Sequence, residues 1–296
     1  MKTVVHAVAR KLQAWLGLRP SGWPKKPPMA QRAYYDHPGW IIDPDTGTWI
    51  WNEWPYDTRT AHWSGGRNQQ GCAEGIGRLE WRMNGTVIST YQGLMIGGRY
   101  DGAGILTDDE DNRYDGMFRS GVLHGTATIE YKSGSRYEGE LQDGRLHGTG
   151  KMVFANKIIY EGAWRYGTFF GEGTLSWPSA QIYVGHFVAG EFEGEGRMLW
   201  PNGDCYRGAW KQGCRHGAGR FEGQTCTYHG TWEGDQWHGT GTVTWPNGDR
   251  YQGSFRYGEL HGFGEGWFDG KHLIGAWEKG KFVGGASPAP SSTTLQ

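Results

Sequence analysis

Tyrosine recurs in this chain at a nearly constant interval. Tyr91, Tyr114, Tyr137, Tyr160, Tyr183, Tyr206, Tyr228 and Tyr251 stand 23, 23, 23, 23, 23, 22 and 23 residues apart, and Leu273 takes the same place 22 residues further on. A fixed period of this length means one small unit built repeatedly, each burying its apolar face against its neighbours. With tyrosine as position 1, position 3 is glycine throughout, from Gly93 to Gly275, and position 5 is usually a ring, as in Phe118, Trp164, Phe187, Trp210, Trp232, Phe255 and Trp277. Position 8 is usually glycine, and positions 11 to 14 read His-Gly-x-Gly or close to it, as in His147-Gly148-Thr149-Gly150. Position 16 is apolar and position 18 often aromatic, as in Met198 and Trp200, before a turn such as Pro201-Asn202-Gly203-Asp204 closes the unit.

The parity of these offsets predicts strands, because side chains on a strand alternate faces. Positions 1, 3 and 5 share a face of one strand, and positions 12, 14, 16 and 18 a face of the next. A turn around position 8 makes the two a hairpin, and the Asn-Gly turn leads to the following hairpin. Glycines lacking side chains leave room for neighbouring rings to lie flat on the backbone, which explains residues of poor strand propensity inside strands. The other face is polar, as Glu138, Glu140 and Gln142 show. With 52 Gly, 15% aromatic and only 36% hydrophobic residues, such a chain packs by rings rather than by a large aliphatic core. Each hairpin alone is marginal, so stability must come from stacking.

The pattern Tyr-x-Gly-x-Trp/Phe-x-x-Gly-x-x-His-Gly-x-Gly at this period resembles the MORN repeat. The resemblance covers residues 91–285 as nine units, the last degenerate at Leu273, and a weaker unit begins at Trp63-Ser64-Gly65 and runs through Gly75-Ile76-Gly77-Arg78-Leu79-Glu80-Trp81. It implies an all-β, elongated, open, twisted ribbon of stacked antiparallel hairpins, about 90 to 100 Å long at about 4.8 Å per strand. Ala127 where the last glycine is expected, Phe170 and Glu193 in place of His, Gly234 one position early and Gly266 at an apolar position predict local irregularity within that fold.

The ends read differently. Residues 36–62 carry Trp40, Trp49, Trp51 and Trp54 around Asp43-Pro44-Asp45-Thr46-Gly47, and they predict an extra hairpin that caps the array or docks a partner. Residues 1–35 form a basic arm containing Lys2, Arg10, Lys11, Arg19, Lys25, Lys26 and Arg32 with no acidic residue. Together with Val4, Leu12, Trp15 and Leu16, this predicts a short amphipathic helix or arm of targeting or interfacial type, with a mitochondrial destination as the leading expectation. Residues 63–285 are repeats, and residues 286–296 read as a disordered tail.

Outside the arm, 23 basic residues face 31 acidic ones, so no general attraction for nucleic acid is expected of the array. Cys72, Cys205, Cys214 and Cys226 lack CxxC spacing and are expected to be free thiols. His124, His147, His216, His238 and His261 recur in register, but strand spacing holds neighbours about 9 to 10 Å apart, too far to share an ion. They are expected to help close each hairpin, and neither metal nor cofactor is expected. Gly275 to Lys281 mimics a phosphate loop with Phe282 where Ser or Thr should hold magnesium. Asn84-Gly85-Thr86 matches a glycosylation acceptor but falls in an inter-repeat turn, and Asp108, Asp109, Glu110 and Asp111 read as an acidic turn.

The expected function is a non-catalytic scaffold or adaptor subunit of a large assembly. The repeat aromatics Tyr91 through Tyr251, with Trp164, Trp210, Trp232 and Trp277, build the ribbon, while the basic arm and the cap tryptophans dock it. The resemblance implies cytoskeletal or axonemal settings as the alternative to an organelle. A tether on anionic phospholipid is the alternative function, drawing on the basic arm.

Overall fold

A computed structural model describes residues 39–52 and 59–285. The basic arm with Lys2, Arg10, Lys11, Trp15, Arg19, Lys25 and Lys26, together with Trp54 and the tail, lies outside the described residues. The described residues form two units, divided in sequence between Phe169 and Phe170. The first contains β1 (Trp40–Ile42), β2 (Trp49–Trp51), β3 (Thr60–Trp63), β4 (Gly66–Arg67), β5 (Ala73–Met83), β6 (Thr86–Ile96), β7 (Arg99–Thr107), β8 (Arg113–Arg119), β9 (Val122–Glu130), β10 (Arg136–Gln142), β11 (Arg145–Val153) and β12 (Ile159–Arg165). β13 (Thr168–Ser176) runs through the division. The second unit continues with β14 (Ile182–Val188), β15 (Glu191–Leu199), β16 (Cys205–Lys211), β17 (Cys214–Glu222), β18 (Thr227–Glu233), β19 (Gln236–Thr244), β20 (Arg250–Arg256), β21 (Glu259–Phe268), β22 (Lys271–Glu278) and β23 (Lys281–Gly284). The fold is all β and antiparallel, as the offsets predict. From β5 onward the sheet within each unit is an open meander, each strand paired to the next in sequence, while β3 and β4 both pair with β5 and β1 pairs with β2.

Two kinds of turn make the period. At the hairpin tip Asp143 and Gly144 both have positive φ, 50° and 71°, the mirror-image turn whose twist matches the flanking strands. Gly234 and Asp235 keep this turn with glycine one place early, so Asp235 takes the second left-handed position at φ 69°. Between hairpins, Trp200 N–H donates to Asp204 O at 2.9 Å and Gly203 N–H to Trp200 O at 2.9 Å, and Trp245 to Asp249 repeats the arrangement.

The His-Gly-x-Gly motif departs from a straight strand. Gly139 faces Gly150 while Leu141 faces Leu146, so β11 carries two more residues than β10 between those pairs. The excess forms a bulge around His147, Gly148 and Thr149, where Gly148 has φ +62°. The glycine at position 12 therefore serves a left-handed backbone, not room for a ring. The next hairpin tip covers the bulge: Gly167 N–H donates to Leu146 O at 2.9 Å, and Gly144 to Leu123, Gly213 to Phe192 and Gly258 to Trp237 do the same at 2.9 to 3.0 Å. A backbone acceptor at the interrupted ladder thus finds a donor in the neighbouring hairpin.

Candidate functional site

Seven repeat tyrosines, Tyr91, Tyr137, Tyr160, Tyr183, Tyr206, Tyr228 and Tyr251, are fully buried on one face of the sheet. The geometry around Tyr137 shows how a single layer can bury them. Its ring lies across the Gly139–Gly150 pair, so closely that a methyl group on Gly150 would stand 2.6 Å from the ring carbons. The Tyr137 hydroxyl donates to Glu140 O at 2.8 Å, the carbonyl where the register shifts. Tyr91 to Leu94, Tyr160 to Ala163, Tyr183 to His186, Tyr206 to Ala209, Tyr228 to Thr231 and Tyr251 to Ser254 make the same bond three residues on, at 2.7 to 3.1 Å. Burial pushes the Tyr251 hydroxyl up to about 12, and burial likewise raises Tyr91, Tyr137, Tyr183, Tyr206 and Tyr228. Each remains a protonated donor at neutral pH.

Position-5 rings hold the tyrosines edge-on, two each for Tyr183, Tyr206, Tyr228 and Tyr251. Tyr206 meets Trp210 of its own repeat at 5.1 Å and Trp232 of the next at 5.3 Å, and Tyr137 meets Trp164 at 5.5 Å. Trp164, Trp210, Trp232 and Trp277 anchor their indoles by donating to Gly150, Gly196, Gly219 and Gly264 carbonyls at 3.0 to 3.3 Å. Sequence reasoning missed position 10, which covers the other ring face. Tyr100 stacks on Tyr91 at 4.1 Å, Phe169 on Tyr160 at 3.8 Å, Phe192 on Tyr183 at 3.7 Å and Trp237 on Tyr228 at 4.6 Å. The signal was present, since Leu123, Leu146 and Leu260 fill the same position in other units. In one unit position 10 is Arg215, whose guanidinium lies 4.2 Å from the Trp232 ring and pairs with Asp235 at 3.1 Å.

Tyr114 is the exception among the tyrosines. Its strand pairs Gly116 with Ala127, and the alanine methyl occupies the place a ring would need. Tyr114 is only half-buried and donates instead to Asp108 Oδ2 at 2.9 Å. The acidic turn is thereby accounted for: Asp108 Oδ1 accepts Glu110 and Asn112 N–H at 3.0 and 2.9 Å, Asp109 pairs with Arg59 at 2.8 Å and Asp111 with Lys132 at 2.8 Å.

At the start of the first unit Trp63 takes the tyrosine's part, lying over Gly65 and Gly77 and donating Nε1–H to Gly66 O at 2.7 Å. β1 and β2 form the expected tryptophan hairpin, with Trp40 opposite Trp51 and their rings 5.3 Å apart. It sits on β5 to β7 through Trp49 N–H to Gly71 O, Trp51 N–H to Gly98 O and Arg99 over Trp51 at 4.3 Å. Asp43, Asp45 and His62 cluster within 4.8 Å of one another. Burial opposes the Asp43 charge, yet hydrogen bonds from Trp63 and Asp45 N–H, each 2.9 Å, hold its carboxyl below the usual range. Its two oxygens are thus committed to backbone N–H groups, Oδ1 in the turn and Oδ2 on β3. Of the motif histidines, His147 packs edge-on to Tyr166 at 5.2 Å and His238 to Tyr257 at 6.0 Å, each against the next hairpin tip. All four cysteines are free thiols. The phosphate-loop mimic falls on β22 and the following hairpin turn, and Asn84-Gly85 forms a hairpin tip.

The outward face varies from unit to unit. Met117, Val184, Val188, Phe263 and Ile274 are exposed there, and Ile76 is 81% exposed. Near the end of the second unit a cleft of about 580 Å³ opens among Trp237, Trp245, Leu260, Phe268, Leu273, Trp277 and Phe282, with Glu259 and Lys279 at its wall.

The family model for the MORN repeat matches residues 114–136, 137–157, 160–180, 183–205, 206–225, 228–250 and 251–265. No curated protein matches the chain in sequence. Among solved structures it is similar to the TCP domain of Drosophila melanogaster SAS-4 in complex with a proline-rich motif of Ana2, at TM-score 0.33 and 12% identity, over 52% of this chain and 85% of that one. It is also similar to a mutant TCP10 domain of Danio rerio CPAP, at TM-score 0.31 and 10% identity, over 63% and 92%. At such scores the likeness does not extend to function. Seven matched repeats, each with its tyrosine in register and six of the seven seated on a glycine pair or its equivalent, establish that the chain belongs to the MORN-repeat family.

Proposed function

We propose that this chain is a non-catalytic scaffold that binds other proteins along its repeats. One observation carries the reading: the inner face is constant and closed, while the outer face is variable and open. Tyrosines, position-5 rings and glycine pairs repeat with little change and seal the inside. Outward positions vary between units and include the exposed Met117, Val184, Val188 and Phe263. Exposed apolar side chains spread along a polar face are what protein contacts use.

The perturbed groups support the same reading. The tyrosine hydroxyls are raised by burial and tied to backbone carbonyls, and Cys214 is pushed up to about 11, first by burial and then by Asp235, which keeps it a thiol. These shifts serve packing. Membership of a large complex, the docking roles of the arm and of Trp40, Trp49, Trp51 and Trp54, and a mitochondrial or cytoskeletal location belong to this proposal. The organellar version draws only on residues 1–35.

Cross-linking mass spectrometry on the full chain isolated from its cells tests it. Cross-links from outward residues of 114–265 to one or a few other proteins are expected. A chain that yields none, yet sediments with anionic phospholipid vesicles, overturns the scaffold and leaves the membrane tether.

A further inference from the structure

One line across the outer face breaks its charge pattern. Positions 2 and 15 stand opposite one another on successive strands, so their side chains form a row that crosses the sheet. In the first of the two compact units, charged neighbours in this row have opposite signs: Glu138 faces Lys151, and Lys151 faces Glu161 and pairs with it at 3.2 Å. In the second the signs agree. Val184 faces Arg197, Arg197 faces Arg207, Arg207 faces Arg220 and Arg220 faces His229, all of them exposed. Like charges directly opposite on neighbouring strands destabilise a sheet. The arginines are thus kept in register against their mutual repulsion, on a face where inner packing does not require them.

The acids of β14 to β18 lie beside the row, not in it. Glu222 pairs with Arg220 at 2.7 Å, Glu233 with His238 at 3.3 Å, and Glu193 accepts Gln212 N–H at 3.0 Å. Glu191 sits at a hairpin tip, and Glu195 stands opposite Ala209. In the turns, Asp204 accepts Gln224 N–H at 2.9 Å and Asp235 holds Arg215. Arg197 donates Nε–H to Cys205 Sγ at 3.4 Å, and neither Arg197 nor Arg207 has an ion pair among the described residues. A broad anionic surface laid on this face would meet Glu195 on one flank of the arginines and Glu222 on the other. A narrow acidic line would not, so the flanks select the partner's shape as the row selects its charge.

We infer that this row receives an α-helix of a partner protein, lying across β14 to β18 with an apolar side chain on Val184 and acidic side chains at successive turns on Arg197, Arg207 and Arg220. The spacing chooses the helix. Neighbouring strands repeat about every 4.8 Å, whereas a helix rises about 5.4 Å per turn, so three contacts accumulate a mismatch of only about 1 Å. An extended segment presents same-facing residues about 6.6 to 6.8 Å apart and drifts by about 4 Å over the same three contacts. The pair between Arg220 and Glu222 is exposed and holds weakly, so a partner acid can share that guanidinium. The partner's signature is apolar, acid, acid, acid at steps of three or four residues. The inference rests on the scaffold reading and names its partner class.

The test uses the full chain in low-salt buffer and a fluorescein-labelled peptide, Ala-Ala-Leu-Ala-Gln-Ala-Glu-Ala-Gln-Glu-Ala-Ala-Gln-Glu-Ala-Gln-Leu-Ala-Ala. Its glutamates share one helical face, with a leucine a turn beyond them at each end, so either direction fits. Saturable binding by anisotropy is expected, falling as salt rises. Changing the glutamates to glutamine, or scrambling the same residues around the helix, should weaken it about tenfold or more. Arg197→Glu with Arg207→Glu should abolish it and let the chain take the corresponding lysine peptide instead. Arg207→Gln should also weaken binding while its urea midpoint stays level or rises, because a like-charge contact is relieved. Equal binding by the scrambled peptide, binding indifferent to Arg197→Glu with Arg207→Glu, or a marked loss of stability in Arg207→Gln overturns the inference. Attachment to anionic phospholipid vesicles that the double variant removes overturns it too, in favour of a lipid surface. Cellular cross-links confined to other repeats would remove this row and leave the scaffold, whereas their complete absence would remove the scaffold whatever the peptide does.

Discussion

The units that begin at Tyr114 and Tyr137 are neighbours of similar sequence, yet their tyrosines end in different places. Tyr137 is fully buried across two glycines, with its hydroxyl on the backbone of Glu140. Tyr114 is half-buried and donates instead to the Asp108 carboxylate. The local difference is one methyl group: Gly139 pairs with Gly150, whereas Gly116 pairs with Ala127. A tyrosine at position 1 is therefore not enough to build the spine. The bare backbone opposite it decides where the ring goes, and packing density leaves no compromise for an extra carbon.

The comparison can be broken in several ways. The largest effect should come from alkali, because the seated tyrosines act together. Their hydroxyls keep their protons when folded, but the unfolded chain loses them above about pH 10. Stability is then level below about pH 10 and falls as pH rises through the folded values, about 12 for Tyr251. Urea midpoints across that range, followed with absorbance of ionised tyrosine, check this: beyond the exposed tyrosines such as Tyr166 and Tyr257, ionisation should coincide with unfolding. Ionisation of every tyrosine at about pH 10 in the folded chain would contradict the seating.

Trp164→Ala should come next, costing about 3 to 5 kcal/mol in urea unfolding, since it removes the ring between Tyr137 and Tyr160 and the bond to Gly150 O. Gly150→Ala should cost about 1 to 3 kcal/mol through overpacking against Tyr137. By contrast Gly258→Ala, where an added methyl meets nothing within 4 Å, pays only for its φ of +84°, about 1 kcal/mol. The smallest net effect belongs to Ala127→Gly, within about 1 kcal/mol, because the seat gained offsets the chain entropy lost. Its signature is instead a Tyr114 that leaves Asp108, visible in the tyrosine ring resonances.

Much of this was legible in the sequence for a simple reason: strands alternate faces, so a glycine at positions 3 and 14 and rings at 1 and 5 announce their partners by parity. The irregular position of Ala127 was legible too, though not its consequence for Tyr114. Gly148 was not, because a left-handed bulge and a ring's seat ask for the same residue, and only the register separates them. Position 10 was hidden by its variety, Leu in one unit, Trp in another and Arg215 in a third, unified by the tyrosine face they all cover. The terminal cleft was hidden for a different reason. Leu273 and Gly266 are each a modest departure along the chain, and only the fold sets them opposite one another.

The seating itself is tested most directly by solving the structure of Gly150→Ala, which gives the Tyr137 unit the methyl that its neighbour already has. The account predicts that the Tyr137 ring swings off the sheet and its hydroxyl leaves Glu140 O. A ring that stays in place, with that bond still near 2.8 Å, would contradict it.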